Sequence, residues 1–246
     1  MLFTIVHFNT PELTTLLMSS LYKTHSDATV VLFDNSTRLP FTNAVKFPRV
    51  TYMDNTKGQH INFSIELAKY PNRYIPEQLQ TGSNFGSAKH TITIQYLIDK
   101  IQEPFILLDS DILFKKNCSD IIDSSMCCVS DIEFGSVHRI YPFIAYLNTP
   151  LIKKYGIRFF DPNRMHGLCH PGNRAYLYDT GASFYEDVAK IKSHKRIIYT
   201  DYIVHYGNGS WRNDKHGPLG NFGISKLPYQ MWAMQHKELW NVTKTV

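Results

Sequence analysis

The stretch Phe105-Ile106-Leu107-Leu108-Asp109-Ser110-Asp111 decides the fold of this chain. Four consecutive apolar residues are typical of a strand that is buried on both faces, as strands of a parallel sheet are. Two aspartates follow where that strand meets its loop. Because ligands of open α/β sheets bind outside the carboxyl ends of the strands, the stretch predicts a central strand with a polar site at its end.

The residues before this stretch alternate between strand and helix patterns. Leu2–Phe8 is a short apolar run, and Thr10-Pro11-Glu12 then supplies an N-cap residue, a proline at the first helical position and an acidic first turn. Ala28–Phe33 and Val50–Met53 predict two further strands. This order of elements indicates a βαβ unit in a mostly parallel sheet.

The middle and second half of the chain are less regular. A polar loop at Thr81–Gly86 is expected to open a helix that ends before Pro104. The later predicted elements are strands within Met126–Ile132, Ile140–Leu147 and Arg196–Val204, and a helix from about Ala182. We therefore expect a single α/β domain in three parts, residues 1–115, 116–225 and 226–246.

Composition excludes several classes of protein. The chain has 246 residues, 43% of them hydrophobic and 19% charged, which is typical of a folded domain and excludes a disordered chain. The net charge of +5 is too small for a dedicated nucleic-acid binder and suits a pocket for an anionic ligand. Without a signal-peptide pattern or an apolar run of about 20 residues, we expect a cytoplasmic protein. Its cysteines are expected to be reduced thiols: Cys118, Cys127, Cys128 and Cys169.

Asp109 and Asp111 have the spacing of a metal-binding pair. Residues two apart on an extended strand end point to the same side, so both carboxylates can bind one hard cation, Mg²⁺ or Mn²⁺. A single D-x-D more often caps a loop. The preceding apolar strand and Asp34, which ends an earlier strand, favour the metal interpretation over the cap.

Four segments in this order resemble the GT-A nucleotide-diphosphosugar glycosyltransferases, close to family two: TIVHFNTPEL, VVLFDNST, GSNFGSAKHTITIQYLIDK and FILLDSDILF. The resemblance covers residues 1–115 and implies a mixed, mostly parallel central sheet flanked by helices. It also implies that Asp34 contacts the nucleoside, that Asp109 contacts ribose and metal, and that Asp111 binds the metal. The predicted donor-binding set is His7, Asn9, Asp34, Ser36, Lys89, Asp109, Ser110 and Trp211.

A second match lies near the C-terminus. Val204-His205-Tyr206-Gly207-Asn208-Gly209-Ser210-Trp211 is similar to the His…Gly-Ser-Trp ending of several GT-A families. The resemblance implies that His205 completes the metal site, and neutral imidazole is a suitable ligand for Mn²⁺ beside carboxylates. The alternative for an isolated histidine is a hydrogen-bonded core residue.

Tyr178-Asp179-Thr180-Gly181 precedes the predicted helix at Ala182. The resemblance places the acceptor here and makes Asp179 the candidate base that deprotonates the attacking hydroxyl. The alternative is a helix N-cap, which Asp and Thr both provide. Asp201 and Glu186 are weaker candidates for the base. The family-two Glu-Asp pair is absent at this point, so the base and the stereochemical outcome stay open.

The sequence thus predicts a metal-dependent glycosyltransferase. Residues 1–115 would bind the nucleotide-diphosphosugar, 116–225 would bind a glycan, lipid-linked or other hydroxyl acceptor, and the amphipathic tail 226–246 would close on the domain or contact a membrane surface. One rival is a nucleotidyltransferase, which normally has a Gly-rich loop where this chain has Asn9-Thr10-Pro11. The other rival is a non-catalytic module that binds sugars or nucleotides.

Overall fold

The computed structural model describes residues 1–69, 83–134, 138–162, 164, 180–207 and 229–241, with only the helical backbone given for 83–87. Within them, nine strands are present: β1 (Leu2–His7), β2 (Thr29–Asp34), β3 (Val50–Asp54), β4 (Phe105–Asp109), β5 (Ile112–Phe114), β6 (Cys128–Glu133), β7 (Arg139–Leu147), β8 (His194–Arg196) and β9 (Ile203–His205). The helices of the same residues are α1 (Pro11–Thr24), α2 (Phe63–Ala68), α3 (Ser83–Lys100), α4 (Thr149–Lys154), α5 (Ala182–Lys190), α6 (Tyr229–Gln235) and α7 (Lys237–Trp240).

Seven strands form one central sheet in the order β3-β2-β1-β4-β7-β6-β8, while β5 and β9 form a separate two-stranded sheet. The pairs β3–β2, β2–β1 and β1–β4 are parallel, and β7 is antiparallel to both β4 and β6. The prediction of a mixed, mostly parallel α/β sheet is therefore confirmed. Strands from both halves of the chain share this sheet, and its β4–β7 junction joins them.

Helices cover both faces of the central sheet. On one face, α1 buries Leu17, Met18 and Leu21 in a cluster that includes Ile5. On the other face, α3 buries residues such as Ile94 in a second cluster. Full burial of one such side chain stabilises the fold by about 1.5–3 kcal/mol, so the apolar spacing of these helices fixes which of their faces meets the sheet.

The start of α1 differs from the prediction in one respect. Pro11 occupies the first helical turn as expected, but the Thr10 side chain makes no capping hydrogen bond. Its hydroxyl lies 3.0 Å from the hydroxyl of Ser110 instead. The contact joins the loop after β1 to the loop after β4, at the edge of the sheet where the two aspartates lie.

Two expectations for local structure are wrong. The proposed strand Arg196–Val204 is two short strands, β8 and β9, separated by a 3-10 turn at Tyr199–Asp201. The Asp131 carboxylate causes the break, since it accepts hydrogen bonds from the Arg196 side chain and from the backbone N–H of Tyr199. The expected loop Thr81–Gly86 overlaps helix α3, which begins at Ser83.

The C-terminal helices pack on the domain. Trp232 of α6 is buried, and its ring lies 5.2 Å from that of Tyr206. Trp240 of α7 donates a hydrogen bond to the backbone oxygen of Ala233 at 2.8 Å, and the Lys23 ammonium of α1 bonds to the backbone oxygen of Glu238. Residues 229–241 of the tail thus pack against the domain. No helix in the described part of the chain is long and apolar enough to cross a membrane.

Candidate metal centre and donor site

The two aspartates and His205 meet at the end of β4. Asp109 ends β4, and Asp111 lies just before β5, whose residue Ile112 pairs with His205 of β9. The ligand atoms of these three side chains all lie within 4.8 Å of one another. His205 Nε2 is 3.2 Å from Asp111 Oδ1, and the backbone oxygen of Asp111 accepts a hydrogen bond from the N–H of Tyr206 at 2.9 Å.

Burial and the neighbouring charged groups shift the pKa values of Asp109 and His205. Burial raises the pKa of Asp109, the nearby His90 opposes this rise, and the Asp111 carboxylate adds to it. Burial lowers the pKa of His205, but attraction to Asp111, its hydrogen bond and attraction to Asp109 together outweigh burial, so the net pKa is raised. Two acidic groups in contact with one imidazole therefore favour a positive charge at this point.

This donor set fits a divalent cation. Carboxylate oxygens are the preferred ligands of Mg²⁺ and Mn²⁺, and imidazole is a better partner for Mn²⁺ than for Mg²⁺. A cation among Asp109, Asp111 and His205 would offset both the burial and the repulsion from Asp111 that raise the pKa of Asp109. The structure thus brings together the three residues that the sequence analysis proposed as metal ligands.

His90 of α3, which the sequence offers together with Lys89 as a positive charge for the diphosphate, contacts Asp109. Its Nε2 atom lies 3.4 Å from Asp109 Oδ1. This nitrogen is buried and has no hydrogen-bond partner among the described residues, so the contact with Asp109 is electrostatic. It depends on α3 lying beside the end of β4, and no local motif signals that placement.

The predicted donor residues of β1 and its following loop are buried. Asn9, with a positive φ of 54°, accepts hydrogen bonds through Oδ1 from the backbone N–H groups of three successive residues. These residues are Thr37, Arg38 and Leu39. The His7 ring bonds to the hydroxyl of Thr14 at 2.7 Å. The Asn9 side chain therefore shapes the loop after β2, and the other nitrogen of the His7 ring contacts the same loop at the backbone oxygen of Leu39, 3.3 Å away.

Asp34 and Ser36 also organise this loop. Asp34 has no exposed surface, and its two carboxylate oxygens accept hydrogen bonds from the backbone N–H groups of Ser36 and Phe41 and from the hydroxyl of Tyr52. The Ser36 hydroxyl accepts a hydrogen bond from the N–H of Asn9. The Asx-turn geometry is thus present at Asp34, and its nucleoside contact stays a prediction.

The remaining predicted residues are dispersed. Ser110 is buried against Thr10, and the Lys89 ammonium lies 5.6 Å from the centre of the Phe63 ring. Asp179 and Trp211 lie outside the described residues. Of the weaker candidates for the base, Glu186 forms an ion pair with the Arg164 guanidinium at 3.0 Å. Asp201 ends the 3-10 turn before β9.

An aromatic ring also contacts the candidate metal centre. The ring centroids of Phe143 and His205 are 3.8 Å apart. Phe143 belongs to β7 and was not among the predicted site residues. The sequence signal was Tyr141-Pro142-Phe143, because a proline inside a strand marks a bulge or an edge.

The fold is similar to that of known glycosyltransferases. The galactosyltransferase LgtC, solved in complex with donor and acceptor sugar analogs, superimposes with a TM-score of 0.54 at 8% identity over 99% of this chain and 98% of that chain. The glycosyltransferase GlyE of Streptococcus pneumoniae TIGR4 superimposes with a TM-score of 0.52 at 10% identity, and this chain covers 65% of its length. At this identity the likeness establishes the fold. No protein-family model and no curated protein matches the sequence.

Proposed function

We propose that this protein is a metal-dependent glycosyltransferase that moves a sugar from a nucleotide-diphosphosugar to an acceptor hydroxyl. The observation that carries the proposal is the convergence of Asp109, Asp111 and His205 within 4.8 Å at the carboxyl end of β4. In open α/β sheets this edge is the ligand-binding edge. LgtC, which has a similar fold, binds donor and acceptor sugar analogs.

The residues of the candidate site would have different roles according to their positions. Asp109, Asp111 and His205 would hold the cation, and a bound divalent cation would offset the charge that develops on the leaving diphosphate. Ser110, fixed by Thr10, holds the loop between the two carboxylates in place. His90 contributes an imidazole beside Asp109. The loop after β2, held by Asn9 and Asp34, would form the nucleoside side of the site.

The acceptor hydroxyl needs a base, for which we propose Asp179. The adjacent Thr180 and Gly181 lie at the start of α5, and the hydroxyl of Thr91 on α3 donates to that of Thr180 at 3.4 Å. Asp179→Asn keeps the size and hydrogen bonding of the side chain but removes the proton acceptor. We expect transfer to fall by about 10²–10⁴-fold with donor affinity unchanged.

The structure does not bear out the helix-cap alternative, because the N-cap residue of α5 is Gly181 and not Asp179 or Thr180. If Asp179 only supports the segment before α5, Asn provides equivalent hydrogen bonds, so both melting temperature and transfer stay near wild type. Transfer rate, donor affinity and melting temperature measured on Asp179→Asn therefore separate the two roles. Near-normal transfer would remove Asp179 from the mechanism and leave another base or a retaining reaction.

A panel of UDP-, GDP- and dTDP-sugars with and without Mn²⁺ tests the proposed function. A ligand present at 100 times its Kd stabilises the folded state by about 2.7 kcal/mol, so a cognate donor raises the melting temperature. We expect one donor to do so, more strongly with Mn²⁺, and to release nucleoside diphosphate on incubation. Donor binding without turnover would indicate a binding module, and release of pyrophosphate from a nucleoside triphosphate and a sugar phosphate would indicate a nucleotidyltransferase.

A further inference from the structure

Strand β7 carries a large bulge next to the candidate metal centre. In the β6–β7 ladder, Ser130 pairs with Ala145 and Ile132 pairs with Ile140. Residues 141–144 of β7 therefore lie opposite Asp131 alone. Pro142 has no N–H to donate to the ladder, which explains why the irregularity falls here. Bulges of this kind redirect side chains and are frequent beside active sites.

The bulge presents aromatic rings in a stacked column. Tyr141 and Phe143 are stacked with centroids 4.8 Å apart and planes 22° apart, and the Phe143 ring lies 3.8 Å from that of His205. Tyr199 packs edge-on against both Tyr141 and Phe143, at 5.3 and 5.4 Å. The column therefore runs from the candidate metal ligand His205 to Tyr141, and Tyr199 braces it from the side.

Tyr141 differs from its neighbours in how it is packed. Phe143 and Tyr199 are partly buried and pack against the cluster under α1, which gives them a structural role. Tyr141 is also only partly buried, but in the described part of the chain it belongs to none of the three hydrophobic clusters. Its ring is thus oriented by other rings and is not needed to fill the core.

Charged groups lie close enough to Tyr141 to shift the pKa of its phenol. Burial raises the pKa of the Tyr141 phenol, and the nearby Glu133 carboxylate raises it further, so the hydroxyl stays protonated and can donate a hydrogen bond at neutral pH. Glu133 and Arg139, which pair across β6 and β7, form an ion pair at the same end of the ladder. An oriented aromatic ring with carboxylate, guanidinium and phenol groups nearby combines an apolar face with partners for hydroxyl groups.

We propose that Tyr141, backed by Phe143 and Tyr199, is a platform on which a pyranose ring of the substrate stacks beside the metal centre. That this sugar takes part in a transfer reaction rests on the proposed function. The apolar C–H face of the pyranose lies on the aromatic ring, whose face carries partial negative charge, and the sugar hydroxyls reach the polar groups at its rim. The sugar belongs either to the donor or to the acceptor.

Tyr141→Leu and Tyr141→Phe test the platform, with Tyr155→Leu as the matched control. Tyr155 is another exposed tyrosine, and its ring contacts Lys154 of α4 instead of the platform. Saturation-transfer NMR with methyl glycosides of glucose, galactose and mannose measures sugar binding without any turnover. We expect Tyr141→Leu to weaken binding of the best glycoside about 10-fold, equal to about 1.4 kcal/mol, and Tyr141→Phe and Tyr155→Leu to retain it.

A second measurement decides whether the donor sugar or the acceptor sugar stacks on Tyr141. It compares the affinities of wild type and Tyr141→Leu for UDP-galactose, UDP-glucose and GDP-mannose with their affinities for UDP and GDP. If the donor sugar stacks here, Tyr141→Leu weakens binding of the cognate sugar nucleotide about 10-fold and leaves the free nucleotide unaffected. If the acceptor stacks here, donor binding is unchanged and the KM for the acceptor rises. Equal glycoside binding by Tyr141→Leu and wild type would overturn the platform. Absence of donor binding by wild type, with glycoside binding that depends on Tyr141, would overturn the proposed function alone.

Discussion

At the scale of single residues, Asp111 contributes to the candidate centre through both its side chain and its backbone. Its carboxylate contacts His205, whereas its backbone oxygen accepts the N–H of Tyr206 and so continues the short β5–β9 sheet. A change of the side chain alone leaves the backbone hydrogen bond in place. Chemistry and folding can therefore be tested separately at this position.

Asp111→Asn is expected to lower transfer by about two orders of magnitude or more, because a neutral amide is a poor ligand for Mn²⁺ or Mg²⁺. Without metal, the melting temperature should change little, because the lost attraction between Asp111 and His205 is offset by the lost repulsion between Asp111 and Asp109. Asp27→Asn is the control, since the Asp27 side chain is 83% exposed. Full activity of Asp111→Asn, or of wild type in EDTA, would contradict the metal site.

At the scale of elements, the junction of α5 with β7 depends on one glycine. Gly181 precedes α5 with a φ of 81°, and a Cβ atom added to it would lie 2.6 Å from Cγ1 of Ile140. Only glycine satisfies both the positive φ and the close approach. The contact fixes the start of α5 against the strand that carries the aromatic bulge, so the candidate acceptor side depends on this packing.

Gly181→Ala is expected to destabilise the fold by about 2–5 kcal/mol, the sum of the left-handed backbone cost and the steric overlap with Ile140. Gly156→Ala is the matched control, because Gly156 has a φ of 65° and no atom of the residues that the structure describes lies within 4 Å of the added Cβ. That variant should lose only about 1–2 kcal/mol. Urea denaturation of both measures the difference, and equal losses would show that the Ile140 contact does not matter.

At the scale of the whole molecule, buried neutral histidines make the fold sensitive to acid. Burial lowers the pKa of His7, of His25 and of His194, and that of His194 falls to about 4. These residues lie in β1, after α1 and in β8, so their protonation would affect widely separated parts of the fold. Each binds a proton more readily in the unfolded chain than in the folded one.

The sign of the pH effect follows from these lowered pKa values. Near pH 7 the three histidines are neutral in both states, and as the pH falls below about 6.5 the unfolded chain takes up protons first. These three histidines should therefore lower the free energy of unfolding between pH 6.5 and about 4, whereas His205 and Asp109, whose pKa values are raised, contribute in the opposite direction. His194→Gln should flatten this decrease in urea titrations across that range. An identical pH dependence for variant and wild type would contradict the assignment to His194.

The sequence by itself determined the local features of this protein. The apolar run before Asp109 is buried as β4, with Phe105–Leu108 at 1% exposure or less. The helical spacing of Leu13, Leu16, Leu17 and Leu21 predicts the apolar face of α1, of which Leu13, Leu17 and Leu21 are buried and Leu16 is partly buried. Residues close in sequence control such features, because the period of apolar side chains is set by the geometry of one strand or helix. The alternation of strand and helix patterns along the chain was sufficient to predict a mostly parallel sheet.

Only the tertiary structure decided how distant segments meet. His205 contacts Asp111 across 94 positions of sequence because β9 pairs with β5, and that pairing depends on the turn that Asp131 makes between β8 and β9. The bulge that brings Phe143 against His205 likewise depends on how β7 is held by β6. Strand register and side-chain contacts arise from packing between elements, and the periodicity of a single segment carries no information about its partner.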